Sequence, residues 1–294
     1  MAAPFVLSQD LSSLLRDWSV RHGFCVCIGD LFRYRLQISQ VLSQVFESVV
    51  IIGETELTFG LARQAGLCNE PVVSLDGVYL SSPWQLGLTR QVDSAGNSLG
   101  LGPRHSKADQ NAQMQQLADS LLDAGHDRVV LADDVIFAGD LMDEVIGDLS
   151  RRGVFVTDVM AGVSIGQGAN RIRQQGINVV AVKHFDTVVD EVCERDFLPG
   201  APQSGRTIAP HGKVDAGLPY ILPFGDPTDW ASVPEGQAQE FSSRCLEAAI
   251  SLYEAIGERS GRPVKMRDLD RWPGLPSSDC ADQSVAEYLK SLTC

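Results

Sequence analysis

Asp133 and Asp134 follow four apolar residues, Val129 to Ala132, and precede a short turn, Val135 to Ala138, that ends at Gly139. A short apolar run closed by acids reads as a buried strand of a parallel sheet. Both carboxylates then stand at the strand's carboxyl end, where open α/β sheets bind ligands. Gly139 suits a turn that opens a helix, so the backbone N–H groups of Phe137, Ala138, Gly139, Asp140 and Leu141 would face an anion. Such an arrangement could hold a phosphorylated sugar, with carboxylates on its hydroxyls or on Mg²⁺ and the helix start on its phosphate. The same residues also fit a plainer role, as a solvated turn or a helix cap.

Three further groups of residues could do chemistry. Glu54 and Thr55 follow the apolar strand Val49–Ile52 and Gly53. They could contact a diphosphate or its metal, and the repulsion from Glu54 and Glu56 makes a bridging cation necessary in that reading. The alternative is that Thr55 caps the following helix. Arg104, His105 and Lys107 gather three potential cations within four residues, on either a closing loop or an ordinary solvated one. Arg195, Asp196, Ser204 and Arg206 sit in a Pro/Gly frame that fits a binding loop or a tight linker.

The stretch from Val129 to Gly139, with the order of elements around it, resembles the 5-phosphoribosyl 1-diphosphate (PRPP) signature of type I phosphoribosyltransferases. Phe137, Ala138 and Leu141 stand where the family carries threonines. The stretch Val49 to Arg63 is similar to the family's diphosphate loop, and Phe24, Gly29 and Tyr34 to the amino-terminal part of its orotate enzymes. The resemblance implies transfer of phosphoribose from PRPP, with Mg²⁺, to a nitrogenous base through an oxocarbenium-like transition state. It gives Asp133 and Asp134 to the ribose hydroxyls and, with Glu54, to the metal. Residues 137–141 would take the 5′-phosphate, Glu54 and Thr55 the diphosphate. Arg104 and Lys107 would serve the leaving group, and Arg195, Asp196 and Arg206 would meet the acceptor. A non-catalytic PRPP or nucleotide sensor, or an enzyme of another phosphorylated ribose compound, are the rival readings. A homodimer is compatible with the family.

The composition suits a folded protein: 294 residues, 44% hydrophobic and 7% aromatic. A net charge of −14 argues against broad contact with nucleic acid or anionic membrane, since both need a basic face. The absence of a long apolar run and of a basic, apolar leader makes the cytoplasm the expected compartment. Seven cysteines at scattered spacings fit reduced thiols, although Cys25 and Cys27 would share one face of a strand.

The elements that must position these residues read as follows. Ser8 to Val20 forms an amphipathic helix, and Gly23 to Leu36 a hairpin turning at Gly29-Asp30. Val49 to Ile52 precedes a polar loop and a helix, placing its loop on the same sheet edge as Asp133. A hairpin with its tip at 93–97 follows. Strands and helices then alternate through Val182, which predicts a parallel sheet. The expected architecture is an α/β phosphoribosyltransferase-like core over residues 1–188, amino-terminal hairpin included. Residues 189–294 add a helical, loop-rich extension with a long helix over 235–256.

Overall fold

The computed structural model describes residues 2–105, 107–209, 214–275 and 278–292. In chain order its elements begin with β1 (Phe5–Ser8), α1 (Leu11–His22), α2 (Ile28–Val45), β2 (Val49–Ile52) and α3 (Glu54–Ala65). Four strands follow: β3 (Val72–Ser74), β4 (Trp84–Gln85), β5 (Leu88–Val92) and β6 (Ser98–Pro103). Next come α4 (Gln110–Asp123), β7 (Arg128–Ile136), α5 (Asp140–Arg151), β8 (Phe155–Ile165), α6 (Gly166–Arg173) and β9 (Asn178–Phe185). The carboxy-terminal part holds β10 (Asp190–Cys193), β11 (Arg206–Ile208), β12 (Ala216–Leu218), α7 (Pro227–Trp230), α8 (Ala238–Ser260), β13 (Trp272–Pro273) and α9 (Val285–Lys290).

These elements divide into two compact units. One comprises Met1–Ile51, Arg90–Gly100 and Val189–Cys294; the other comprises Ile52–Thr89 and Leu101–Val188. The boundary expected at 188/189 is thus one of the places where the chain passes between units, the others being 51/52, 89/90 and 100/101.

The second unit carries the β7 acids. Its described residues form a parallel sheet in the order β4-β3-β7-β8-β9. Alternation along each strand sends Leu131, Val159, Ala161 and Val179 into one core. That core includes Met114, Leu117 and Leu121 of α4, Met142, Val145 and Leu149 of α5, and Ala169 and Ile172 of α6. The opposite face meets α3: a Cβ on Gly60 would stand 2.5 Å from Val182, so helix and strand approach at glycine distance. From β3 the chain adds β4 on one side, whereas β7, β8 and β9 grow toward the other, so the order reverses between β3 and β7. Such a reversal opens a crevice at the carboxyl ends of the two strands.

The first unit holds a sheet ordered β10-β1-β2 and a mixed sheet ordered β13-β12-β11-β5-β6. Phe5, Leu7, Trp18, Tyr34, Phe197 and Phe241 fill its main core with residues of α8 and α9. Buried charges stitch it together. Glu194, wholly buried, accepts from Arg35 at 2.8 and 2.9 Å, and Asp10, also wholly buried, accepts from the Arg195 guanidinium at 2.7 Å.

Several expectations need correction. The stretch Gly23 to Leu36 is not a hairpin: residues 28–45 form α2, because Leu31, Tyr34, Ile38, Val41 and Leu42 recur at helical spacing and are buried together. Gly29 and Asp30 lie in its first turn, where an acid suits the positive end of the helix. Cys25 therefore precedes the helix and Cys27 caps it, and neither lies in a strand. Strand β2 is hydrogen-bonded in the sheet of β1 and not in that of β7, so the residues that follow it come near the β7 acids through the packing of α3 and not as a loop of the same sheet. Glu54 and Thr55 occupy the first turn of α3 rather than a loop. Cys25, Cys27, Cys68, Cys193, Cys245 and Cys280 are free thiols. Ser106 of the basic loop, and Pro276 and Ser277 of the carboxy-terminal extension, lie outside the described residues.

Candidate functional site

Strand β7 ends in the site. Ala132 and Asp133 pair with Met160 and Ala161 of β8, while Leu75, just after β3, donates its N–H to Ala132 at 2.8 Å. Asp133 is therefore walled by strands on both sides and keeps 6% of its exposure. Its Oδ1 accepts from Asp134 N–H at 3.0 Å, and Asp134 Oδ1 accepts from Val135 N–H at 2.7 Å. Those bonds hold the two carboxylates against their own backbone.

A third carboxylate joins them. Asp76 follows β3, and its buried side chain takes Val78 N–H at 3.0 Å and the Arg104 guanidinium at 3.0 Å. Burial, then repulsion from Asp134 and Asp76, pushes the Asp133 carboxyl well above the ordinary carboxylate range. The Asp134 N–H and Arg104 pull it back. Asp76 was not anticipated, yet it repeats the β7 pattern: an apolar strand, an acid, then a turn at Gly77.

The turn after β7 is shorter than expected, because Val135 and Ile136 continue the strand and pair with Val163 and Ser164 of β8. Gly139 adopts φ +85 and caps α5, so the first N–H groups of that helix point out of the turn. The turn is wedged from behind by α6. A Cβ on Gly168 would lie 2.4 Å from the Phe137 carbonyl oxygen, and one on Gly139 would lie 3.4 Å from Gly168. Asp140 and Asp143 stand in the first turn of α5, and Arg171 of α6 forms ion pairs with both. Those acids oppose an incoming anion, and Arg171 offsets them.

Helix α3 borders the same edge. A Cβ on Gly162, opposite Asp134, would stand 2.8 Å from the Asp134 carbonyl oxygen and 3.3 Å from Leu57, which places the start of α3 beside this part of β7 and β8. Glu54 and Thr55 are in that first turn, and Glu56 pairs with Lys183 of β9 at 2.6 Å. The structure thus collects Asp133, Asp134, the 137–141 turn, Arg104 and the start of α3 in one unit. His105 and Lys107 are exposed; the Lys107 stem lies against Gly87, and its N–H binds the Arg104 carbonyl at 3.1 Å.

Arg195, Asp196 and Arg206 belong to the other unit. Arg195 is bound to Asp10, and Asp196 accepts the Gly205 N–H at 2.7 Å. Arg206 lies over the Trp230 ring at 4.3 Å. These groups brace the first unit's own loops.

Magnesium suits two adjacent hard oxygen donors that share it with substrate phosphates and water. Asp133 and Asp134 are such donors. Among the described residues no group of three or more His, Cys, Asp or Glu side chains is arranged to cage a metal, so a cation here would lean on a ligand. Among them, too, no helix is long and apolar enough to cross a membrane.

Fold and site together define an open parallel α/β protein with an acidic edge and a turn that a left-handed glycine opens into a helix. Solved structures similar to this chain include phosphoribosyltransferases. Orotate phosphoribosyltransferase from Aeropyrum pernix shares 18% identity over 44% of this chain and 70% of that one, with a TM-score of 0.29. The Mycobacterium tuberculosis H37Rv orotate enzyme in complex with PRPP shares 12% over 45% and 72%, at 0.27. Adenine phosphoribosyltransferase from Thermoanaerobacter pseudethanolicus shares 11% over 44% and 78%, at 0.28. No family model and no curated protein matches the chain. At such identities and TM-scores, function has to be read from the chain's own residues.

Proposed function

We propose that this chain is a phosphoribosyltransferase that moves phosphoribose from PRPP, with Mg²⁺, to a nitrogen of a base and releases diphosphate. The observation that carries the reading is the β7 edge: two adjacent carboxylates near the carboxyl end of a central strand, which ends at Ile136, and an αL glycine, Gly139, that opens the next helix. Asp133 and Asp134 hold the ribose hydroxyls and would lend oxygens to a magnesium ion, which would supply charge neutralisation for the diphosphate. The N–H groups of the 137–141 turn receive the 5′-phosphate without help from hydroxyls, since Phe137, Ala138 and Leu141 have none. The start of α3, with Glu54 and Thr55, would face the diphosphate and help hold its magnesium. Arg104 and Lys107 answer the charge that grows on it as it leaves.

The absence of hydroxyls at Phe137, Ala138 and Leu141 favours a second reading, in which the fold binds PRPP or a nucleotide as a sensor without turnover. Isothermal titration with PRPP, with and without Mg²⁺, tests the shared premise, and diphosphate release in the presence of bases separates the two. Absence of metal-dependent binding would remove PRPP from both.

A further inference from the structure

Beyond the acid pair, the sheet edge carries a hydrogen-bonded serine and histidine. Ser164 is the last residue but one of β8 and His184 the last but one of β9, and Ile136, Ser164 and His184 are aligned in register across β7, β8 and β9. Ser164 is 1% exposed, and its Oγ lies 2.8 Å from His184 Nδ1. The His184 side chain keeps 40% of its exposure, and its Nε2 stands 3.5 Å from a fully exposed Asp186 carboxylate. One imidazole nitrogen is thus fixed inside the sheet edge and the other is presented outward.

Glycines lock this edge to the turn after β7. A Cβ on Gly166 would lie 2.6 Å from the Asp186 carbonyl oxygen, just as one on Gly168 would meet that of Phe137. The start of α6 is therefore pinned between the end of β9 and the 137–139 turn. Strands two places apart in a sheet are separated by about 10 Å, the reach of a sugar bearing a heterocycle.

We propose that His184, oriented by Ser164, touches the acceptor base and takes its proton; this rests on the phosphoribosyl-transfer reading. In the neutral imidazole that does this, Nδ1–H donates to Ser164 Oγ and the Nε2 lone pair faces out. As the acceptor nitrogen bonds to C1′ of the ribose, the C1′–O bond breaks and diphosphate leaves with that electron pair. The N–H proton of the acceptor passes to Nε2. Asp186, at the end of the strand, steadies the imidazolium, while the neighbouring Lys183 is already paired with Glu56 of α3. Ser164 is a positioning residue.

The test uses the full chain with histidine ring carbons labelled for NMR, and His184→Gln assigns the signal among five histidines. Orotate, uracil, adenine and hypoxanthine are added one at a time to protein with Mg²⁺ and PRPP, across about pH 5 to 9. One heterocycle is expected to move the His184 signal and its titration. With that heterocycle, His184→Gln should lose about 10²–10⁴-fold in kcat/KM while PRPP titrates as before. Ser164→Ala should shift the acid limb of the pH profile. A His184 signal indifferent to all four heterocycles overturns the proposal. So does a His184→Gln protein that keeps its turnover, or one that loses PRPP binding. Failure of the phosphoribosyl reading shows separately, as wild-type protein without a PRPP isotherm.

Discussion

Asp133→Asn isolates what the β7 edge does to stability and to ligand capture. Asn keeps the shape and still accepts the Asp134 N–H that Oδ1 receives at 3.0 Å. It removes a charge held at 6% exposure beside Asp134 and Asp76. Because the folded carboxyl titrates well above its unfolded value, the folded state binds more protons between the two pKa values, and stability falls as pH rises through that window. Below about pH 4, the ordinary carboxylate range, wild type and variant should match. Above the folded pKa, the variant should be more stable by about 1–2 kcal/mol, the usual gain on relieving a strained site. That is about 2–4 °C per kcal/mol in Tm for a chain of this size. Ligand reverses the order: Mg²⁺ and PRPP at 100 times Kd would add about 2.7 kcal/mol to wild type and little to the variant. Scanning calorimetry at stepped pH, with and without Mg²⁺ and PRPP, measures both effects. A variant less stable than wild type at neutral pH, or a difference indifferent to pH, would refute the reasoning.

Other substitutions probe the surroundings. Gly168→Ala drives a Cβ to 2.4 Å from the Phe137 carbonyl oxygen, so it should cost about 1–3 kcal/mol and weaken PRPP binding; an unchanged titration would show that the turn has slack. Arg104→Gln strips the buried Asp76 of its cation, and should lower stability by about 1–3 kcal/mol and turnover by about 10²-fold, read by urea melts and diphosphate release. Arg195→Ala leaves the buried Asp10 unopposed at a cost of about 3–5 kcal/mol, whereas Arg206→Ala gives up a ring stack worth about 1 kcal/mol. Tryptophan fluorescence in denaturant ranks the two, and equal losses would contradict the burial argument.

The β7 unit was legible because its information is local. Val129 to Gly139 encodes a strand, its end and the next helix in eleven consecutive residues, and the alternation through Val182 gives the sheet class. Pairing between distant segments leaves no such mark. Asp190 and Glu191 look like loop residues, yet they sit in β10, parallel to Phe5 and Val6 of β1. The partner of β2 was misplaced for the same reason. Gly29-Asp30 resembles a hairpin turn in sequence, and only the burial of Leu31, Tyr34 and Ile38 on one face shows that a helix runs through it. At the site, Asp76 and the Ser164–His184 contact arise from register across strands, which spacing along one chain does not report.

The first unit is assembled from segments at both ends of the chain and one between. During synthesis the second unit has all its residues once Val188 has emerged, while Phe5 of β1 still waits for β10 and Trp18 for the Asp268 carbonyl that its indole binds at 2.9 Å. The amino-terminal segment, with Leu11, Leu15 and Trp18 destined for burial, is therefore a client for chaperones until the last third of the chain arrives. A fragment ending at residue 188 would keep that exposure permanently, so aggregation rather than an isolated, folded second unit is what such a truncation should yield.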